Sequence, residues 1–134
     1  MIREATEKDL RLINYFLGKF NDGYKIKSIL SYKKYFLLDD FGLLGITCLY
    51  DRIELDYIYI EKNKRNKNYA TWLMKHLIKY SDKYKYKSIS LEVNITNVNA
   101  IKLYEKFGFR VAKTIKKYYK NQDAYLMVRG EYNE

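Results

Sequence analysis

Two short stretches hold residue types that do chemistry at a helix. Residues 62 to 71, KNKRNKNYAT, gather Lys62, Lys64, Arg65 and Lys67 around a helix start. About four backbone N–H groups go unpaired at a helix N-terminus, and the helix dipole adds positive potential there. Arg65, Asn66, Lys67, Asn68, Tyr69, Ala70 and Thr71 therefore read as a site for an anion the size of a diphosphate, although a solvated basic loop has the same composition. The second stretch, residues 97 to 109, NVNAIKLYEKFGF, puts Tyr104 on one stripe with Ala100, Leu103 and Phe107. A tyrosine so placed fills a core or handles a proton, and the spacing permits both. Carboxylates follow on strands. Glu54 and Asp56 share a face with Ile58 and Ile60, and Glu92 alternates with Leu91 and Val93.

The elements around these residues form a mixed α/β pattern. ATEKDLRLINYFLGKF starts with Thr6 three residues before Asp9, a weak capping box, and sets Leu10, Ile13, Leu17 and Phe20 on a helical stripe. Residues 24 to 32 leave room for a second helix. KKYFLLDDFGLLGITCLY reads as two strands around a turn at Asp39, Asp40 and Gly42, and RIELDYIYIE as a third. YATWLMKHLIKY is an amphipathic helix with Ala70, Leu73, Leu77 and Tyr80 inward. KSISLEVNI alternates as a strand, the stretch with Tyr104 is a helix between an Asn97 cap and a Gly108 stop, and FRVAKTIKKYY and AYLMVRG close the chain as strands. No repeat or linker divides residues 1 to 134, which predicts a single domain.

Composition narrows the classes. The net charge is +10, but the lysines are dispersed and no nucleic-acid module is recognisable, so specific nucleic-acid binding is not expected. The one cysteine, Cys48, excludes an internal disulfide and reads as core; the one histidine, His76, lies mid-helix without a partner and reads as a surface or packing residue rather than a catalytic one. MIREATEKDL is charged where a signal peptide is apolar, and no apolar run reaches membrane-spanning length. A cytoplasmic protein without membrane or metal is expected. Monomer and homodimer both stay open.

These motifs resemble the GNAT family of acetyl-coenzyme A-dependent N-acetyltransferases. Arg65, Asn68 and Ala70 fall where the family has Arg or Gln, then Gly, then Gly or Ala, with Asn68 replacing a glycine. Asn tolerates the left-handed conformation for which glycine is normally chosen. Asn97, Ala100, Leu103, Tyr104, Gly108 and Phe109 reproduce the family's Asn-x-x-Ala-x-x-Leu-Tyr-x-x-x-Gly-Phe without a gap. The resemblance implies a mostly antiparallel central sheet of six to seven strands with helices on both faces and with strands four and five splayed. It implies acetyl-coenzyme A as cosubstrate, its pantetheine arm paired with the backbone of Ile58, Tyr59 and Ile60, its diphosphate on residues 65 to 71, and Asn97, Ala100 and Tyr104 beside it.

The resemblance also assigns proton handling. Tyr104 becomes the general acid for the departing thiolate, since a phenol near pKa 10 is neutral where a thiol near 8.5 ionises. Glu92 occupies the place of the catalytic glutamate in bacterial ribosomal-protein N-terminal acetyltransferases, and Glu54 the place used by histone-type members. Asp56 and Tyr119 are substrate-binding candidates, Tyr119 because KKYYKNQDAYLMV is similar to the N-terminal acetyltransferase branch. Neutralising a lysine amine near pH 7 costs about 4.6 kcal/mol, and an α-amine only about 1.4 kcal/mol. A protein N-terminus is thus the leading acceptor. A small-molecule amine is the alternative, and a coenzyme-binding sensor or basic binding module the non-enzymatic one.

Overall fold

The computed structural model describes residues 1 to 20, 25 to 119 and 121 to 132, with the side chains of residues 117 to 119 outside the description. Thr6 and Asp9 do form a capping box, but over a single 3-10 turn, Glu7–Asp9, before the first helix, α1 (Leu10–Leu17). Arg3 grips Asp9 with two hydrogen bonds of 3.0 and 2.8 Å, and Thr6 N–H donates to it at 2.8 Å. These contacts hold the Asp9 carboxyl down at about 2. The helix is shorter than its apolar stripe: it stops at Leu17, so Phe20 lies beyond its end, 40% exposed, with its ring 4.9 Å from that of Tyr57.

No helix forms in residues 25 to 32. The reason lies in α1 and the 3-10 turn before it. Asn14 donates to the Ile26 carbonyl at 2.9 Å and accepts from Ile26 N–H at 2.7 Å, while Glu7 accepts from Ile29 N–H at 2.8 Å. Side chains thus take the backbone groups that a helix there would have paired.

The strands are β1 (Ile2–Glu4), β2 (Lys33–Leu38), β3 (Gly42–Leu49), β4 (Arg52–Ile60), β5 (Ser88–Asn94), β6 (Arg110–Tyr119) and β7 (Gln122–Gly130). The remaining helices are α2 (Tyr69–Lys83) and α3 (Val98–Lys106). Hydrogen bonding gives the sheet order β1-β2-β3-β4-β5-β7-β6, antiparallel except for β4 with β5. The parallel ladder runs from Arg52 opposite Ser88 to Glu54 opposite Ser90.

Contacts divide the chain into two compact units: residues 1 to 48 with 55 to 78, and residues 49 to 54 with 79 to 134. In the first, α1 buries Ile13, Phe16 and Leu17 in one cluster with Tyr35, Leu37 and Leu43, with Tyr57 and Tyr59 packed against it. Each such apolar side chain contributes about 1.5–3 kcal/mol. The alternate residue Phe36 points to the other face, where it meets His76 of α2 with ring centroids 4.7 Å apart. His76 is therefore a packing residue, one of the two roles expected of it, although its aromatic neighbour was not foreseen. Cys48 is half-buried rather than core.

In the second unit, β5 sends Ile89, Leu91 and Val93 to one face, all buried, and Ser88, Ser90 and Glu92 to the other. Arg129 sits opposite Ile89, and its Nε–H donates at 2.8 Å to the Phe107 carbonyl just past α3. That bond puts α3 on the buried face and leaves Glu92 on the opposite one.

Candidate active site

The loop into α2 is built by backbone conformation. After a 3-10 turn at Lys62–Lys64, Arg65 is extended, and Asn66 and Asn68 adopt left-handed φ values of 64° and 66°. Asn68 thus takes the conformation for which glycine is usual, as its substitution there demanded. The first helical hydrogen bond runs from Trp72 N–H to the Asn68 carbonyl at 3.2 Å. Among the described residues, the N–H groups of residues 66 to 71 have no protein acceptor. Concave runs of such amides bind anions.

Arg65 does not point into that cradle. Its Nε–H donates to the Ile60 carbonyl at 2.9 Å, and its guanidinium lies over the Tyr59 ring at 5.3 Å. The loop is thereby tied back to the end of β4. Lys64 lies over Phe41 at 5.2 Å, and Phe41 packs on Tyr69 at 4.8 Å, which anchors the first turn of α2. Beside this, Tyr15 donates to Glu61 Oε2 at 3.1 Å, whereas the buried Glu61 Oε1 has no hydrogen-bond partner among the described residues.

In the second unit, Asn97 Oδ1 caps α3 by accepting from Ala100 N–H at 3.3 Å. Tyr104 is 8% exposed, its ring 6.0 Å from that of Phe109, and its hydroxyl makes no hydrogen bond to a described residue. Burial pushes its phenol up to about 12. Glu54 and Glu92 line one cavity of about 480 Å³ on the open face of the sheet. Its floor follows from register: Glu54 stands beside Ser90, Ser90 opposite Val128, and Glu92 opposite Leu126. The two candidate bases therefore share one cavity.

Asp56 is already occupied. It accepts from Thr47 Oγ1 at 2.5 Å and from Lys33 Nζ at 3.3 Å, so an incoming ammonium would compete with Lys33. The Tyr119 side chain lies outside the described residues. Sequence reading missed Arg52, Ser90, Lys113 and Leu126 in the cavity wall. The alternation of Ser88, Ser90 and Glu92 was the available signal for β5, whereas the others depend on strand pairing.

The sequence profile of the acetyltransferase (GNAT) family matches residues 14 to 109. The chain belongs to the GNAT acetyltransferase family. It is 40% identical over 74 residues to an N-alpha-acetyltransferase of Saccharolobus solfataricus, a match covering 54% of this chain and 44% of that protein. It is 34% identical over 77 residues to a probable spermine N(1)-acetyltransferase of Bacillus subtilis subsp. natto, covering 52% of this chain and 51% of the relative. The matched region thus spans about half or less of these relatives. Among solved structures, the ribosomal-protein-S18-alanine N-acetyltransferase of Escherichia coli superposes with a TM-score of 0.79 at 19% identity, covering 100% of this chain and 97% of that one. This GNAT chain therefore has the fold of that enzyme.

Proposed function

We propose that this GNAT chain transfers an acetyl group from acetyl-coenzyme A to a primary amine, with a protein N-terminal α-amine, such as that of a ribosomal protein, as the leading acceptor. The observation that carries the reading is the run of unanswered N–H groups at residues 66 to 71, held open by two left-handed asparagines. The diphosphate rests on these amides, Lys62, Lys64 and Lys67 raise the potential around it, and Arg65 acts as the clamp that keeps the loop in shape. Ile58, Tyr59 and Ile60 offer backbone to the pantetheine arm, and Asn97, Ala100 and Tyr104 complete the coenzyme contacts.

The amine nitrogen attacks the thioester carbonyl carbon as Glu92, through water, takes its proton; collapse breaks the carbon–sulfur bond and releases a thiolate. A phenol at about 12 is neutral throughout physiological pH. Handing its proton outright to a thiolate near 8.5 is uphill by about 5 kcal/mol. Tyr104 therefore stabilises the departing sulfur as a hydrogen-bond donor, a milder role than full general acid, and the thiolate draws its proton from solvent. Glu54, beside Ser90, is the alternative base, and Tyr119 the candidate contact to the acceptor's first residues.

Similarity to the Saccharolobus N-alpha-acetyltransferase favours the α-amine, and similarity to the spermine enzyme favours a polyamine as the second reading. Calorimetry with acetyl-coenzyme A, followed by thiol release with a peptide or spermidine as acceptor, tests both. Micromolar coenzyme binding and release faster with the peptide are expected; no coenzyme uptake at millimolar ligand rejects the reading.

A further inference from the structure

We infer that Lys113 is a specificity residue that selects acceptors bearing a carboxylate near the amine, a reading that rests on the acetyl transfer proposed above. The cavity face of β6 is set by an irregularity. Val111 pairs with Met127, yet Lys113 pairs with Leu126, so Ala112 is an extra residue in the strand. A regular ladder would put Ala112 opposite Leu126 and turn Lys113 to the α3 face; the bulge re-aims Lys113 to the face of Glu92.

Glu92, Leu126 and Lys113 then form one row across three strands. With strands about 4.8 Å apart, the outer two backbones are about 10 Å apart. A carboxylate and an ammonium face each other across an apolar floor, and neither has an ion-pair partner among the described residues. Four carboxylates and three cations line the whole cavity, in a chain whose net charge is +10. A polyamine, cationic at both ends, would meet Glu92 at one end of the row and the like charge of Lys113 at the other. An acceptor with its amine at Glu92, an apolar body over Leu126 and a carboxylate at Lys113 answers every charge in the row. A peptide with an acidic side chain at its second position has that chemistry, whereas an α-amino acid, with one carbon between amine and carboxylate, cannot span the row.

Paired acceptors test this span: a peptide with glutamate at its second position against the same peptide with glutamine, and 6-aminohexanoate against its amide, with spermidine as a fifth arm. Acetylation by the wild type should favour the carboxylate-bearing member of at least one pair roughly fivefold to tenfold in kcat/KM. Lys113→Gln should erase that preference and Lys113→Glu invert it. Preference for the amide or for spermidine, or a preference that survives Lys113→Glu, overturns the inference while leaving acetyl transfer standing. Should coenzyme bind but no acceptor turn over, methyl NMR decides: carboxylate-bearing acceptors should shift Leu126 and Ile115 at lower concentration than their amides, and equal titrations reject the role of Lys113. Absence of coenzyme binding instead rejects the proposed function itself.

Discussion

The α2 loop and the sheet-face cavity are assembled in opposite ways. The loop is contiguous: residues 60 to 72 supply its amides, its left-handed turns and the Arg65 tie to Ile60. The cavity is drawn from four strands, and Glu54, Glu92, Leu126 and Lys113 meet on one face only because β4, β5, β7 and β6 pair in one register, with a bulge at Ala112. A local site tolerates rearrangement elsewhere, whereas a register-built site fails when any one strand slips.

The largest expected effect separates the two. Glu92→Gln should lower acetyl transfer by about 10²-fold or more, the scale of a lost general base, while leaving the coenzyme dissociation constant within twofold. Glu54→Gln made alongside decides between the carboxylates. A large loss only in Glu54→Gln moves the base to β4.

Next in size is a test of register. Gly130 has φ 96°, and a Cβ there would lie 2.4 Å from the Lys87 carbonyl oxygen, which already accepts from Glu131 N–H at 3.1 Å. Gly130→Ala should destabilise the chain by about 3 kcal/mol, read as a lower urea midpoint. A change under 0.5 kcal/mol would mean that β7 accommodates a slip, and that the cavity is less dependent on register than the comparison holds.

The loop answers to a smaller change. Asn68→Val places a β-branched residue at a φ of 66°, strain of about 1–3 kcal/mol that should weaken coenzyme binding roughly tenfold. Asn68→Gly should bind as well as wild type or better. If the valine variant binds normally, the left-handed turn is not what shapes the cradle.

This contrast also explains what the sequence disclosed. The loop, the capped α3 and the buried Tyr104 were legible because each is fixed within a dozen residues. The missing second helix was not, because Asn14 and Glu7 reach 12 and 22 residues along the chain to take the backbone groups involved. Asp56 looked free for the same reason: its partners Lys33 and Thr47 are brought in by strand pairing. Lys113 gave no signal at all, since alternation counted from β6 alone ignores the bulge and assigns it to the wrong face.

The smallest effects are titrations, one in each unit, and they run in opposite directions. Asp9 is held at about 2 in the folded chain, below the ordinary 3.8, by Arg3 and Thr6. Its contribution is complete above 3.8 and is lost as pH falls toward 2. Tyr104 is raised from 10.0 to about 12 by burial, so the unfolded chain loses that proton first as pH rises. Stability from the neutral phenol is therefore present below 10 and drains away between 10 and about 12. Urea melts of wild type and Tyr104→Phe should converge as pH rises from 9 to 11, with the phenylalanine variant gaining ground, while Asp9→Asn should flatten only the acid limb between pH 4 and 2. Parallel curves for Tyr104→Phe across the alkaline range would mean that the phenol ionises as readily folded as unfolded, and that the hydroxyl is solvated well enough to release its proton to a thiolate after all.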